Sequence, residues 1–149
     1  MSDYFKNINH IKFEGPKSDN PLSFKFYNED QIVLGKTMKE HFRFATCYWH
    51  TFTWPGLDPF GGPTIDRPWM QVGDPLTMAE IKLDAAFDFF TKIKTPFFCF
   101  HDRDIAPEGK TYQETKKNLD HIVELMEKKI DKTKVKLLWG TANAFSHKR

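Results

Sequence analysis

The feature that most constrains the fold is an alternation of short apolar runs with amphipathic helical segments. Residues 97–100 form a continuously apolar run whose length suits a strand buried on both faces. Two further runs, at residues 42–52 and 135–139, are also predicted strands. The segments between these runs carry apolar side chains spaced three or four residues apart, which is typical of helices that bury one face. This order indicates an α/β fold built from parallel β/α units.

Three Thr-x-x-Glu sequences predict where helices begin. In such a capping box, the Thr and Glu side chains satisfy the first backbone N–H groups of a helix. The boxes that begin at Thr37, Thr77 and Thr111 predict one short helix and two long ones. We expect the second helix to end near Lys94, because the residue before Pro96 avoids the helical conformation.

The chain has 149 residues, which fits one compact domain. Turn signals such as Gly15-Pro16 fill its first part, so residues 1–36 are expected to form an irregular arm. Residues 37–149 are expected to form about three β/α units. The last unit is expected to be incomplete, because the sequence stops shortly after a predicted strand with no helix to cover it.

Composition and charge argue against several classes of protein. No apolar run approaches the roughly 18 residues that span a bilayer, and residues 1–4 lack the order of a secretory signal, so a cytoplasmic location and no membrane partner are expected. The formal net charge of +2 is dispersed, which disfavours nucleic-acid binding. Cys47 and Cys99 lack the spacing of a zinc site and are expected to be buried, reduced thiols.

A histidine and two acids follow the central predicted strand directly, in the order His101-Asp102-Arg103-Asp104. In parallel β/α folds, the loops at the carboxyl ends of strands carry the chemistry. The carboxylate of Asp104 could accept the Nδ1 proton of His101 and leave Nε2 for a substrate oxygen. The alternative is a solvated polar turn without a catalytic role.

Tryptophans follow the other two predicted strands. Trp49 and Trp139 lie at corresponding strand ends, where they would form an apolar wall that stacks on sugar C–H faces or excludes water. The alternative is that both are core tryptophans. The 15 phenylalanines do not decide between these roles, because aromatic side chains serve cores, interfaces and pockets alike.

Several motifs carry a specific resemblance. They are Phe42-Arg43-Phe44-Ala45, Tyr48-Trp49-His50-Thr51-Phe52, Arg67-Pro68-Trp69, Phe98-Cys99-Phe100-His101-Asp102-Arg103-Asp104, Pro107-Glu108-Gly109 and Leu138-Trp139-Gly140-Thr141-Ala142-Asn143. Together they resemble xylose isomerases of the longer bacterial type, and the match runs in order from Tyr4 to Arg149. The resemblance implies a TIM-type (β/α)8 barrel and an aldose–ketose isomerase that depends on two divalent metal ions, Mg2+, Mn2+ or Co2+.

The resemblance also implies roles for individual residues. His101 would bind the sugar ring oxygen and assist ring opening, and Asp104 would orient it. Phe60 would reach into the site of a neighbouring subunit. The expected substrate-binding residues for xylose or glucose are Trp49, Phe60, Trp139, Thr141 and Phe145. Family metal ligands are expected beyond Arg149, so this chain is predicted to contribute no metal-binding residue.

A TIM barrel needs about 250 residues, and this sequence supplies only about three strands. The unpaired edge and the open apolar face of such a sheet predict a homodimer or a larger homo-oligomer. Two functions stay open. One is D-xylose to D-xylulose isomerisation, with metal recruited through self-association or through Asp102 and Asp104. The other is a non-catalytic, oligomerising or sugar-binding fragment. A metal nuclease or another sugar-processing enzyme is a weaker third alternative.

Overall fold

The computed structural model describes residues 4–57 and 59–144. Its first regular elements are two short antiparallel strands, β1 (Ile32–Val33) and β2 (Lys36–Thr37), followed by the helix α1 (Met38–His41). The Thr37 hydroxyl and backbone N–H donate to Glu40 Oε2 at 2.6 and 2.7 Å, so the predicted capping box and short helix are confirmed. The division of the chain at residue 37 stays a prediction.

The centre of the molecule is a parallel sheet of three strands. They are β3 (Ala45–Cys47), β4 (Phe97–His101) and β5 (Lys136–Thr141), in the spatial order β3-β4-β5. This arrangement confirms the predicted α/β class and the parallel pairing. Closure into a (β/α)8 barrel stays a prediction, because the described residues form an open sheet.

The first strand is shorter than the predicted run over residues 42–52. After Cys47 the backbone turns at Tyr48 (φ −62°, ψ −41°) into a π-helical turn, Trp49–Thr53. The turn buries Phe52, whose carbonyl accepts a 2.8 Å hydrogen bond from Trp69 Nε1. The prediction of a continuous strand is therefore wrong, because aromatic side chains bury equally well from a strand and from the turn that follows it.

The second predicted capping box is also wrong. The helix α2 (Pro75–Ile93) begins before Thr77, because the Asp74 carboxylate caps it and accepts hydrogen bonds from the N–H groups of Leu76 and Thr77. Glu80 points elsewhere and is hydrogen-bonded to His121 Nε2 at 2.6 Å. The predicted end near Lys94 is confirmed, since Lys94 is the C-cap in a left-handed conformation.

Two further helices complete the fold. A short helix, α3 (Asp102–Ile105), follows β4 directly, and the long helix α4 (Tyr112–Thr133) precedes β5. Thr111 Oγ1 accepts a hydrogen bond from the Glu114 N–H at 3.2 Å, so the third predicted helix start is confirmed.

The core lies between the sheet and the helices α2 and α4. Phe98 of β4 stacks on Phe90 of α2 with ring centroids 5.3 Å apart, while Ile122 and Met126 are the buried residues of α4. Side chains alternate along a strand, so Cys99 and His101 face away from the side occupied by Phe98. The helices therefore cover one face of the sheet.

The two cysteines are register partners on the neighbouring strands β3 and β4. Both are free thiols; Cys99 is buried, as predicted, whereas the predicted burial of Cys47 is wrong, because that residue is half-buried. No helix in the described ranges is long and apolar enough to cross a membrane.

Candidate functional site

The candidate site begins with a local contact at the carboxyl end of β4. His101 is the last residue of β4 and the N-cap of α3, and Asp104 is the third residue of that helix. Asp104 Oδ2 accepts the His101 backbone N–H at 2.8 Å and lies 3.1 Å from His101 Nδ1. The Asp104 side chain is 3% exposed and the His101 side chain 35%, so a buried carboxylate supports a partly open imidazole.

This geometry fixes the orientation of the imidazole. A carboxylate accepts only, so the Nδ1 contact favours the tautomer with its proton on Nδ1. The Nε2 lone pair is then available to accept a proton from a ligand. The predicted contact between His101 and Asp104 is present, whereas the catalytic roles of the two residues stay predictions.

Residues of β5 lie beside this pair. Thr141 is the register partner of His101, and the Trp139 ring meets the His101 ring edge-on with centroids 5.4 Å apart. The structure therefore brings Trp139 and Thr141 to the imidazole. Gly140, between these two residues, lets β5 lie close to the Phe100 ring, since a Cβ at that position would lie 2.9 Å from the ring.

Trp49 lies at the end of the neighbouring strand. Its ring stacks on Trp54 at 5.7 Å and meets His50 edge-on at 4.5 Å. Trp49 is 36% exposed and Trp139 41%, so neither is a core tryptophan. Their shared role as a sugar-facing wall stays a prediction.

Two predicted substrate-binding residues are not part of this arrangement. Phe60 is on a loop and is 98% exposed, and its reach into the site of a neighbouring subunit stays a prediction. Phe145 falls outside the described residues.

Asp102 connects two segments of the chain, a role that no sequence motif predicted. Its Oδ1 accepts the backbone N–H of Arg103 at 2.8 Å and that of Asn143 at 2.9 Å. The second bond ties the segment after β5 to the start of α3. Asp102 therefore holds together the two chain segments that carry His101 and Trp139.

Sequence reasoning also missed a buried lysine behind the site. Lys82 of α2 is 6% exposed, and its Nζ lies 3.4 Å from Thr53 Oγ1 and 5.8 Å from the centre of the Tyr48 ring. Burial lowers the pKa of Lys82 to about 8, and the negative charge of Asp104 opposes that shift. Burial also raises the pKa of Tyr48, with the charge of Asp104 contributing. The helical pattern placed Lys82 one position from the apolar stripe at Leu83, but no local motif marked it.

A cleft lies at the other end of the sheet, where the strands begin. Its volume is about 760 Å³, and it opens at the amino ends of β3 and β4, where Phe44, Thr46 and Phe97 line it with Phe24 and Tyr27 of the N-terminal arm. Sequence analysis predicted no cleft there. Its position separates it from His101, which lies at the carboxyl end of β4.

The described residues do not fit a divalent metal site. Within residues 4–57 and 59–144, no three His, Cys, Asp or Glu side chains are grouped so that they could hold a metal ion. The two acids named as possible recruiters are engaged in hydrogen bonds, Asp104 with His101 and Asp102 with two backbone N–H groups.

Comparison with known proteins finds similar sequences over the whole chain, although no family model matches it. The chain is 56% identical over 149 residues to a xylose isomerase of Photobacterium profundum and 58% identical over 147 residues to one of a Thermoanaerobacter species. It is 54% identical over 149 residues to a xylose isomerase of Roseobacter denitrificans. These alignments include 99–100% of this chain but 34% of each relative, so the chain spans about a third of the curated relatives' length. The resemblance seen in the motifs is therefore confirmed: the whole chain matches xylose isomerases, as an N-terminal fragment of such a protein would.

Proposed function

We propose that this chain carries the sugar ring-opening part of an aldose–ketose isomerase that converts D-xylose to D-xylulose. The observation that carries the proposal is the His101–Asp104 contact, with Asp104 Oδ2 3.1 Å from His101 Nδ1 at the carboxyl end of β4. The relatives named above are xylose isomerases, and their activity supports the choice of an aldopentose as substrate.

In the proposed step, His101 moves one proton on a cyclic aldose. Nε2 carries the proton that leaves the anomeric hydroxyl and is delivered to the ring oxygen. The bond between C1 and the ring oxygen breaks as the aldehyde forms, so atoms and charge balance. Asp104 keeps the imidazole in place through Nδ1, and Trp139 covers one side of it.

The following shift of hydrogen between C1 and C2 is the metal-dependent part of the proposed isomerisation. Because the described residues do not form a metal site, no residue of this chain is assigned to that shift. The divalent cation, Mg2+, Mn2+ or Co2+, would be held with the help of residues outside the described ranges or on another copy of the chain.

The test is turnover of D-xylose to D-xylulose by the purified 149-residue chain with each of these cations. The His101→Ala variant is expected to lose at least about a hundredfold in rate, the usual contribution of a general acid–base. His121→Ala is the matched control, because His121 lies on α4 and contacts Glu80, away from β4. Equal turnover by His101→Ala and His121→Ala would contradict the proposal.

A second candidate function has an observation in its favour. Every residue of β5 is exposed, including Leu137, Leu138 and Trp139, so this strand offers an apolar edge to another chain. In this alternative the chain is a non-catalytic, self-associating module that binds sugar through its aromatic side chains. Assembly and sugar binding without turnover would favour it over the isomerase.

A further inference from the structure

Two thiols lie side by side on neighbouring strands of the parallel sheet. Cys47 of β3 and Cys99 of β4 are register partners, and both are free. Register partners share one face of a sheet, so both thiols lie on the face opposite Phe98, which the helices do not cover. The Cys99 Sγ lies 3.8 Å from the carbonyl oxygen of Thr46, so this thiol leans toward β3 and its partner.

The spacing of the pair suits a shared metal ion better than a disulfide. Register partners on parallel strands project their side chains side by side, with the strands about 4.8 Å apart. A disulfide brings its two Cβ atoms to about 3.8 Å, so the strands would have to close up to form one. An ion between the sulfur atoms lengthens the bridge by two metal–sulfur bonds and requires no such movement.

The number of ligands selects the ion. Thiolates bind soft metals, chiefly Cu(I), Zn2+ and iron–sulfur clusters. Structural Zn2+ and iron–sulfur clusters take four protein ligands, whereas no group of three His, Cys, Asp or Glu side chains occurs within residues 4–57 and 59–144. Cu(I) is a d10 ion that is stable with two sulfur ligands in a line. The pair therefore fits Cu(I).

The thiols are protonated before the ion arrives. Burial raises the pKa of Cys99 to about 11, and the charge of Cys47 and a hydrogen bond between the two thiols contribute. Binding breaks two S–H bonds, forms two Cu–S bonds and releases two protons to water, and no electron is transferred. Cys47 is half-buried, so its side gives the ion a way in and lets water solvate the single negative charge of the complex.

We propose that Cys47 and Cys99 form a two-sulfur binding site for Cu(I) on the open face of the sheet. The ion would bridge β3 and β4 at the one register position where both strands carry a thiol. Neither His101 nor Asp104 is a ligand in this site. Copper binding and the proposed ring opening therefore stand or fall separately.

The test is an anaerobic titration of the reduced 149-residue chain against the coloured complex of Cu(I) with bicinchoninate. The wild-type chain is expected to withdraw one Cu(I) per molecule, and X-ray absorption is expected to show two sulfur atoms around the copper. Cys47→Ser and Cys99→Ser each leave one thiol. Each is expected to bind Cu(I) at least about a hundredfold more weakly, the usual scale of loss when one of two linked contacts is removed.

A displaced pair is the matched control. The double variant Ala45→Cys, Cys47→Ser keeps two thiols on the same face but moves one to the position paired with Phe97, out of register with Cys99. It is expected to bind Cu(I) as weakly as the single variants, and circular dichroism checks that each variant is folded. A folded wild-type chain that takes no Cu(I) from bicinchoninate would overturn the inference. Equal affinity of the wild-type and the displaced pair would overturn it as well.

Discussion

The contact between His101 and Asp104 could be predicted because it is local. The two residues are three positions apart, and the first turn of a helix brings an acid at the third position back to the N-cap. The burial of Lys82 could not be predicted in the same way, because Lys82 of α2 is buried through tertiary packing against Thr53 and Tyr48. Sequence reasoning therefore finds the local contact between His101 and Asp104 and misses the buried lysine.

The thiol of Cys99 is predicted to be unreactive in the folded chain. Burial and the neighbouring Cys47 raise the pKa of Cys99 to about 11, so the thiolate fraction at pH 8 is roughly 0.1%, against about a quarter for an ordinary thiol. Alkylation by iodoacetamide at pH 8 is expected to be about a hundredfold slower at Cys99 in the folded chain than in the unfolded chain. Mass spectrometry of the separate peptides measures both cysteines, and equal folded and unfolded rates at Cys99 would contradict the burial.

At the scale of elements, helix starts were predictable where one cap was available and uncertain where two competed. Thr111 is the predicted N-cap of α4 and is also the N-cap in the structure. At the start of α2, Asp74 competes with Thr77 as the N-cap, three residues earlier in the chain. Asp74 is followed by Pro75 at the first helical position, where the fixed φ and the missing N–H of proline suit a helix. Asp74 Oδ2 also accepts a hydrogen bond from the Thr77 hydroxyl at 2.6 Å. The side chain predicted to cap α2 is therefore bound by Asp74, which caps the helix in the structure.

Removal of the Asp74 cap is predicted to destabilise the chain. Asp74→Ala leaves two backbone N–H groups at the start of α2 without their acceptor, which costs about 1 kcal/mol. Asp120→Ala is the control. Asp120 is exposed on α4 and pairs with Lys116 of that helix, a contact worth at most about 0.5 kcal/mol. Urea unfolding measures both, and a smaller loss for Asp74→Ala than for Asp120→Ala would show that the cap is not at Asp74.

The end of β3 was not predictable from the apolar pattern. Residues 42–52 are mostly apolar throughout, so hydrophobicity alone gives no signal where the strand stops. The stop is decided by tertiary contacts, in which Phe52 packs against Trp69 with ring centroids 5.8 Å apart. As a result, Trp49 leaves the sheet in a helical turn instead of extending it.

At the scale of the whole molecule, the sheet has an exposed edge. Leu138 lies on β5, all of whose residues are exposed, and β4 is the one strand of the described ranges that pairs with it. The order and direction of the strands were predictable from the alternation of runs and helices. Their closure into a barrel was not, because closure depends on strands that the described residues do not include.

Association through β5 is a prediction of this open edge. The wild-type chain is expected to form a homodimer or a larger assembly, and Leu138→Asp is expected to shift it toward the monomer by placing a charge on the apolar edge. Leu34→Asp is the control, since Leu34 is also an exposed leucine but lies in the turn between β1 and β2, far along the chain from β5. Light scattering after size exclusion measures the mass, and a monomeric wild-type chain would refute association.

The most direct test of the central claim is the rate at which the chain interconverts the α and β anomers of D-xylose. Anomers exchange through the open chain, so this rate reports ring opening alone and requires no metal-dependent step. The account predicts exchange above the buffer rate for the wild-type chain and for His121→Ala, and a return to the buffer rate for His101→Ala. Exchange that is no faster than buffer, or is unchanged in His101→Ala, would contradict the assignment of ring opening to the His101–Asp104 pair.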